Sequence, residues 1–551
     1  MNHTMKSLIY KSTLLLLTAG VMTSCDVLDL EPLDSYTEDV IFSDGALTEA
    51  YVTKFYTYPK NGFNEMSHRY FCDEAMSNFN NNNAWQIEQT GYTPDMMGFF
   101  NMWKEYYTNI KNINIVFNNL ENLDRVPEPD RSTLIGEATF FRAFFYLDLI
   151  SHFGGVPLIT RTFELDDPEM MVARNSYDEV ANFCVKEFQK AADLLPLKQT
   201  GGDFGRLTKG SALAYKARTL LYMASPLNNP SNDRQKWQAV ADACEELFAL
   251  NQYSLDPDYQ GLFYNHMSPE IIFQRLYNTE FGHWFNWYNQ PNGYLGWSYT
   301  CVTQEMVDSY EMEDGTMPDP TPYMDPSNPS DLYPWANRDP RFYATVVCDG
   351  QNFVNRPVEY WVNEDGKTGG LDSEYSGTEN WNYSKSHYSI RKFAAEDITA
   401  PRAVRASNPW IYCRLAEIYL IYAEAKYMLG DDATARTYVN KIRERARGGR
   451  QDILPDVTES GDALMEKIRH ERKVELAFEE QRWYDVRRWK IGKETQSGMF
   501  HGMNIIRKAD GSKVYYLKDL QDRSFEDIHN LVPLPASEIN KNDLLIQNPG
   551  Y

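Results

Sequence analysis

The chain has 551 residues, with 54 Lys and Arg against 78 Asp and Glu, and a net charge of −24. That charge excludes a nucleic-acid binder, which needs a basic face for phosphate, and disfavours spreading on anionic lipid. Apolar residues at 42% and charged ones at 24% fit a folded body of one large domain with insertions, or of several domains. Aromatics reach 14%, with 37 Tyr and 12 Trp, an excess that core filling alone does not explain.

Residues 1–24 have the anatomy of a secretory signal: Lys6 and Lys11 precede an apolar stretch that opens at Leu14-Leu15-Leu16-Leu17 and runs to Met22. The stretch is shorter than the roughly 20 residues a spanning helix needs. It ends in Met22-Thr23-Ser24-Cys25, which resembles a bacterial lipobox whose cysteine is acylated and becomes the first residue of the mature chain. Cys25 is therefore the expected lipidation site, and residues 25–40, acidic and punctuated by Pro32, read as a tether. No later stretch is long and apolar enough to span, so the expected membrane attachment is this lipid alone. Cys72, Cys184, Cys244, Cys301, Cys348 and Cys413 are too scattered for a disulfide framework and read as buried thiols.

Residues 41–254 read as helical hairpins. Trp103, Tyr106, Ile110, Ile113, Phe117 and Leu120 recur at spacings of three and four, as one helix face does. Val180, Cys184, Phe188, Ala191 and Leu195 repeat the pattern, as do Leu213, Ala217, Leu220 and Ala224, then Trp237, Val240, Cys244 and Leu247. Between them Ala138, Phe141, Phe145 and Leu149 form one stripe with Phe140, Phe144 and Leu147 beside it, a face wide enough for a helix packed between neighbours. Gly154-Gly155-Val156-Pro157 terminates it.

Residues 255–407 differ: clusters of Pro, Gly, Asn and Asp surround short strand-like pieces such as Phe342 to Val347. A run this long without regular structure inside a compact protein points to function. Aromatics concentrate here, with Phe281, Trp284, Phe285, Trp287, Tyr288, Tyr294, Trp297 and Tyr299 close together and Trp335, Tyr360, Trp361, Trp381 and Tyr383 following.

Helical periodicity returns over 408–490. Leu415, Ile418, Tyr422, Ala425 and Leu429 form one face, Gly430-Asp431-Asp432 turns the chain, and Ala435, Val439, Ile442 and Ala446 form the next. This pair looks like a tetratricopeptide (TPR) hairpin without the strict consensus, and a further helix is expected from about Gly461 to Trp489. Hairpins of this kind bury their faces by stacking, so four to five pairs should form one right-handed arc. Residues 491–551 read as a closing segment.

Several segments together resemble the SusD/RagB family of Bacteroidetes. They are Gly136-Glu137-Ala138 through Phe141-Arg142-Ala143 to Phe153-Gly154-Gly155-Val156-Pro157; Thr303-Gln304-Glu305-Met306-Val307-Asp308-Ser309-Tyr310; Arg338-Asp339-Pro340-Arg341; and Arg414-Leu415-Ala416-Glu417 through Ala423-Glu424-Ala425. Glu471-Arg472 with Arg482 to Trp489, and the closing Gln547-Asn548-Pro549-Gly550-Tyr551, complete the series in family order. The resemblance implies a mainly α, SusD-like fold: about four TPR-like helix pairs in an arc supporting an irregular, loop-rich ligand-binding half with a few short strands. It implies a non-enzymatic lipoprotein at the outer membrane, facing the exterior, that captures glycans as the lid of a SusC-like TonB-dependent transporter. The alternatives are the same lid role for a peptide or glycopeptide, and, from another class, a surface glycoside hydrolase on a TPR-like scaffold.

A sugar ring stacks its C–H face on a Trp or Tyr ring, and its hydroxyls then need amide or carboxylate partners. Segment 281–299 mixes both, and Asn78-Phe79-Asn80-Asn81-Asn82-Asn83-Ala84-Trp85 forms an Asn-rich loop before a helix. In starch-binding members of the family an aromatic arc is built from these two regions, so the correspondence is one of position. Trp284, Trp287, Tyr288, Trp297 and Trp85 are the stacking candidates, with Asn286, Asn289 and Asn83 as polar partners. The charged motifs Arg338 to Arg341 and Glu471-Arg472 with Asp485 and Arg487 read as buried structural pairs. No H-E-x-x-H, G-x-S-x-G, G-x-G-x-x-G or P-loop pattern occurs, so no catalytic residue, metal or cofactor is expected. Asp256-Pro257-Asp258 begins like a calcium loop, but Met267 stands where the bidentate Glu should be, and it reads as a turn.

Overall fold

The structure is a computed structural model that describes residues 37–551 apart from 165–166 and 378–379. The expected signal and Cys25 lie outside the described residues. The fold is mainly helical with short strands, as expected. After α1 (Glu38–Ser43), α2 (Gly45–Thr53) and α3 (Ala84–Thr90) come the long helices α4 (Trp103–Asn118), α5 (Asp130–Phe153), α6 (Tyr177–Leu194), α7 (Lys209–Ala224) and α8 (Arg234–Phe248). Each packs on the next from α4 to α8. The periodic residues explain this: Val180, Cys184, Phe188 and Ala191 of α6, and Trp237, Val240, Cys244 and Leu247 of α8, are all buried. Helix α5 is buried almost all round, as its double stripe requires, and Gly154 ends it with a φ of +74° that other residues rarely adopt. Ser176 and Glu179 close a reciprocal cap at the start of α6.

A one-turn helix α9 (Phe285–Asn289) and the short α10 (Gln304–Val307) and α11 (Pro340–Thr345) lie in the irregular stretch. Then α12 (Leu415–Met428), which packs directly on α8, and α13 (Asp432–Ala446) extend the array, so the chain between them is looped out of a continuous helical stack. Gly430, at φ +79°, and the Asp431 carboxylate, which accepts the Thr434 amide at 3.1 Å, make the tight turn read from the sequence.

Three sequence expectations are corrected. Leu120 lies beyond the end of α4 and is exposed. Phe342 to Thr345 is helix rather than strand, because the Asp339 carboxylate accepts the Arg341 amide at 2.8 Å and Pro340 opens the first turn. The helix expected from Gly461 to Trp489 is broken into α14 (Asp462–Glu475) and α15 (Arg482–Arg488). At the break the Glu475 carbonyl accepts Arg414 at 2.8 Å and the Ala477 carbonyl accepts Lys392 at 2.9 Å. Buried cations thus satisfy the carbonyls that helix continuation would have used.

The looped-out stretch is anchored at both ends by an antiparallel pair, β2 (Ile271–Arg275) with β9 (Trp410–Arg414). Phe273 and Tyr412 of this pair stack at 4.8 Å, and Phe273 meets Phe140 of α5 at 5.5 Å, which makes one core of scaffold and insertion. A second pair, β1 (Ala75–Ser77) with β3 (Thr300–Val302), ties the early Asn-rich loop to the aromatic segment in the register Ser77 opposite Thr300. Strands β4 (Val346–Val347), β5 (Asn352–Phe353), β6 (Arg356–Pro357), β7 (Val362–Asn363) and β8 (Ser389–Ile390) have two residues each. The closing segment carries a hairpin that the sequence reading did not anticipate, β10 (Gly498–Arg507) with β11 (Lys513–Arg523). Its signal is Asp510-Gly511 between the alternating runs around Ile505 and Tyr515.

The charged motifs meet in one buried network. Arg414 reaches Glu270 and Glu475 at 2.6 Å and Glu479 at 2.7 Å; Arg341 reaches Asp339 at 2.7 Å and Glu471 at 2.5 Å. Arg443, Arg445 and Lys392 complete it. Arg472 pairs with Asp485 at 2.7 Å as expected, but Arg487 instead stacks on Trp483 and donates to Tyr92. Arg338 meets carbonyls, those of Tyr310 at 3.1 Å and Val307 at 2.5 Å, rather than a carboxylate. The six described cysteines are free and buried.

Candidate functional site: a ring band drawn from three segments

Helix α9 is one turn with two opposed faces. Phe285, Asn286 and Asn289 point into the protein, while Trp284, Trp287 and Tyr288, spaced as i, i+3 and i+4, stay half-exposed on the other side. The backbone then doubles back: Trp297 donates its amide to Trp287 at 2.9 Å and Tyr299 donates to Tyr288 at 2.8 Å, which brings Trp297 onto the same face. Trp284 meets Trp287 edge to face at 5.3 Å, and Trp287 meets Trp297 likewise at 5.0 Å. Tyr288 lies parallel to Trp287 at 5.9 Å.

From Trp297 the band continues into both other segments. Trp381, 57% exposed, lies 6.0 Å from Trp297, and Phe79 of the early loop lies 5.9 Å from Trp381 and 6.3 Å from Trp297. The Lys385 ammonium then bridges Phe79, at 6.0 Å, and Trp85, at 4.6 Å. Asn78 holds the three segments together. It is buried, its amide donates to the carbonyls of Trp297 at 3.3 Å and Tyr383 at 2.9 Å, and its backbone N–H donates to Tyr299 at 2.8 Å. Trp381 is exposed and the other rings of the band are partly buried beside one another. Ring faces at several orientations suit a ligand with repeated C–H faces.

The structure gathers Trp284, Trp287, Tyr288 and Trp297 in one place and sets Trp85 at the far end. The Trp85 indole N–H is bound to the Ser77 carbonyl at 2.9 Å, and Lys385 covers one of its faces. The Trp287 indole N–H is itself buried and has no protein acceptor among the described residues.

Asn286 and Asn289 do not take the role expected of them. Asn286 donates to the Ala395 carbonyl at 2.7 Å and accepts its amide at 3.2 Å; Asn289 donates to the Phe285 carbonyl at 3.0 Å and accepts Thr300 at 2.6 Å. Both are buried and stabilise the turn beneath the rings. Asn83 is exposed beside the band, in the left-handed region at φ +56°, which Asn tolerates better than most residues. A polar group missed in the sequence is Asn81, whose amide donates to Tyr299 at 2.7 Å and Glu65 at 2.6 Å. Phe79 and Trp381 were also missed as partners. Phe79 lay inside the loop that pointed to Trp85, and Trp381 is brought in only by tertiary folding.

A second concavity, a cleft of about 740 Å³, opens between α4, α5, α7 and the segment around Glu480. Its polar groups largely satisfy one another. Asp148 accepts Tyr106 at 2.5 Å and Tyr484 at 2.7 Å, and His68 faces His152 at 2.9 Å and Glu480 at 3.1 Å. Burial holds His68 below the ordinary histidine range, while His152 and the tyrosine bonds keep Asp148 well below the carboxylate range. That mutual pairing makes the cleft a tightly bonded joint between helices. No cluster of three or more metal-ligating side chains occurs among the described residues.

The fold and the ring band can be set beside known proteins. Residues 269–551 match the family model described as the SusD family, and residues 26–221 match one described as starch-binding associating with outer membrane. The chain belongs to the SusD family. Among relatives of this SusD-family protein, SusD-like protein P38 of Formosa agariphila is 25% identical over 86% of this chain and 90% of its own length. A SusD-like protein of Bacteroides ovatus is 21% identical over 98% of both. Among solved structures, a SusD-like protein of Bacteroides fragilis superposes with a TM-score of 0.79 at 29% identity, covering 95% of this chain and 100% of that one. A second from the same species, described as a SusD-like carbohydrate binding protein, gives 0.76 at 24% identity over 92% and 100% and shares the fold.

Proposed function

We propose that this SusD-family protein is a cell-surface glycan-binding lipoprotein, held at the outer membrane by acylated Cys25, that passes oligo- or polysaccharide to a SusC-like TonB-dependent transporter. The insertion 255–407 is then its ligand-binding half, carried on the helical scaffold of 41–254 and 408–490. The observation that carries this reading is the band of Trp284, Trp287, Tyr288, Trp297, Trp381 and Phe79, assembled from distant segments, with Trp381 exposed and the other rings partly buried. The carbohydrate-binding description of one structural neighbour and the outer-membrane description of the second family model point the same way. The protein binds rather than cleaves on this reading, since among the described residues the band offers ring faces and amides and no paired acid and base.

Affinity electrophoresis in gels carrying plant, algal and host polysaccharides tests it. Wild type should be retarded on at least one glycan without releasing new reducing ends, and the double variant W287A/W297A should run at its free mobility. Equal retardation of both proteins counts against the band. Co-purification of a large barrel protein from outer membranes tests the partner, and mass spectrometry of the mature N-terminus tests the lipid on Cys25.

A further inference from the structure

The chain carries a strong negative charge, yet the ionised groups set against the rings are mostly cations. The Lys385 ammonium stands over Trp85 and Phe79, at 4.6 and 6.0 Å. The Lys518 ammonium, from β11, stands over Tyr383 at 5.6 Å, and Arg405 stands over Trp284 at 4.8 Å at the opposite end of the band. Tyr383 and Lys385 are two residues apart and both meet Asn78, through its side-chain amide and its carbonyl, so the two lysines share one corner.

Neither lysine is neutralised there. Among the described residues no carboxylate oxygen comes within 4.0 Å of Lys385, Lys518 or Arg405. Lys385 donates to the Asn78 carbonyl, which leaves two of its three N–H groups free, and Lys518 has no acceptor among the described residues. Glu374 offsets part of the Lys518 charge, but its carboxylate is engaged with His387 at 3.3 Å. Burial holds both ammonium groups below the ordinary lysine range, and for Lys518 the neighbouring Lys385 adds to the depression. Two partly desolvated like charges at one corner, with donors unspent, are unfavourable unless something negative joins them.

We infer that the ligand is an anionic glycan, whose carboxylate or sulfate group sits between Lys385 and Lys518 while its sugar rings lie along Trp381, Trp297 and Trp287. The inference rests on the glycan-binding reading above and narrows it to a substrate class. An anion at this corner accepts the free N–H groups in charge-assisted bonds and removes the lysine–lysine repulsion. The acidity of the remaining surface then repels polyanions that approach anywhere else, so the corner fixes the direction of entry as well as the ligand's charge.

Calorimetry on the full mature chain tests it, with oligogalacturonate, its fully methyl-esterified form, oligoalginate, chondroitin sulfate oligosaccharides and their desulfated form as probes. The carboxylate and sulfate arms separate the two sources of charge. Oligogalacturonate should bind more tightly than its neutral methyl ester, or chondroitin sulfate more tightly than its desulfated, still carboxylated form, by roughly tenfold or more, as expected for a hydrogen bond to a charged group. K385M/K518M should remove that preference. K518M alone breaks no hydrogen bond, so it keeps the test open if replacing Lys385 disturbs the Asn78 loop, and melting temperatures show which variants are intact. Neutral glycans binding as well as charged ones, or an intact K518M retaining the full preference, overturns the inference and leaves the ring band standing as a neutral-glycan site. No glycan of either kind binding, with W287A/W297A indistinguishable from wild type, overturns the glycan reading and this inference with it.

Discussion

The buried ion network and the ring band are opposites within one molecule. In the network, Arg341, Arg414, Glu270, Glu471 and Glu475 are all within a few per cent of complete burial, and each finds partners inside the protein. In the band, Trp381 is exposed and the other large rings stay only partly buried. A chain that can bury five such charges with their partners has the means to bury a tryptophan. The difference separates two tasks: the network fixes how scaffold and insertion meet, and, on the proposed reading, the band offers its rings to a ligand.

The sharpest way to break the comparison is at Arg414, which joins strand β9 to three carboxylates from two segments of the chain. Arg414→Met leaves Glu270, Glu475 and Glu479 short of a cation, and removing one member of a buried pair costs about 3–5 kcal/mol. The expected result is a large loss of denaturant stability, or little soluble protein. A variant with the wild-type denaturation midpoint would show that the network adds no net stability. The reverse case is W287A/W297A, where ligand affinity should fall by about 2 kcal/mol per ring if these are central contacts, while the melting temperature moves by only a few degrees. Calorimetry and thermal melts on the same preparation separate the two effects.

Legibility in the sequence followed the same division. The helices were readable because a packed helix needs apolar residues every three or four positions, and Trp237 to Leu247 or Leu415 to Ala425 meet that need locally. The break after Glu475 was not, because its cause is Lys392 and Arg414 reaching carbonyls from far along the chain. In the site, Trp284, Trp287, Tyr288 and Trp297 were legible as candidates through their concentration in one short segment. Asn286 and Asn289 were misread because composition cannot tell an amide aimed at a ligand from one bound to Ala395 or Thr300. Trp381 was placed only by the fold.

Trp381 offers a milder test of the band. It is the most exposed of the band's tryptophans and touches only Trp297 and Phe79 among the rings. Trp381→Ala should leave the melting temperature unchanged and weaken ligand binding by roughly tenfold, about 1.4 kcal/mol, as one stacked ring at the edge of a site would. Full affinity in this variant would confine the site to the Trp287 side of Trp297.

The smallest expected effect lies where the two regions touch. Glu74 is buried between β1 and the network. Its carboxylate accepts the Phe478 amide at 2.9 Å, and its carbonyl accepts the Thr303 amide at 3.2 Å, just after the ring segment. Burial, reinforced by the neighbouring Asp73 charge, pushes its carboxyl up to about 8. A carboxyl raised in the folded state keeps a proton that the unfolded chain has already lost. The native state therefore binds more protons from the ordinary Glu range up to about pH 8, and stability declines as pH rises through that window. Glu88, pushed up to about 7 by burial, acts in the same direction. Glu475 and Glu479 act oppositely: their arginine and lysine partners hold them low, so their contribution is present at neutral pH and lost as pH falls into the acid range. Thermal melts should therefore peak at weakly acidic pH. In Glu74→Gln, whose amide oxygen can still accept Phe478, the alkaline decline should be shallower, with the variant gaining on wild type at pH 8 and matching it at pH 5. An unchanged alkaline slope would assign the decline to other groups. If glycan affinity in the variant also stays flat between those two pH values, the network and the band are independent in function although they share a residue; an affinity that follows the melting curve would show that protonation of Glu74 reaches the rings through Thr303.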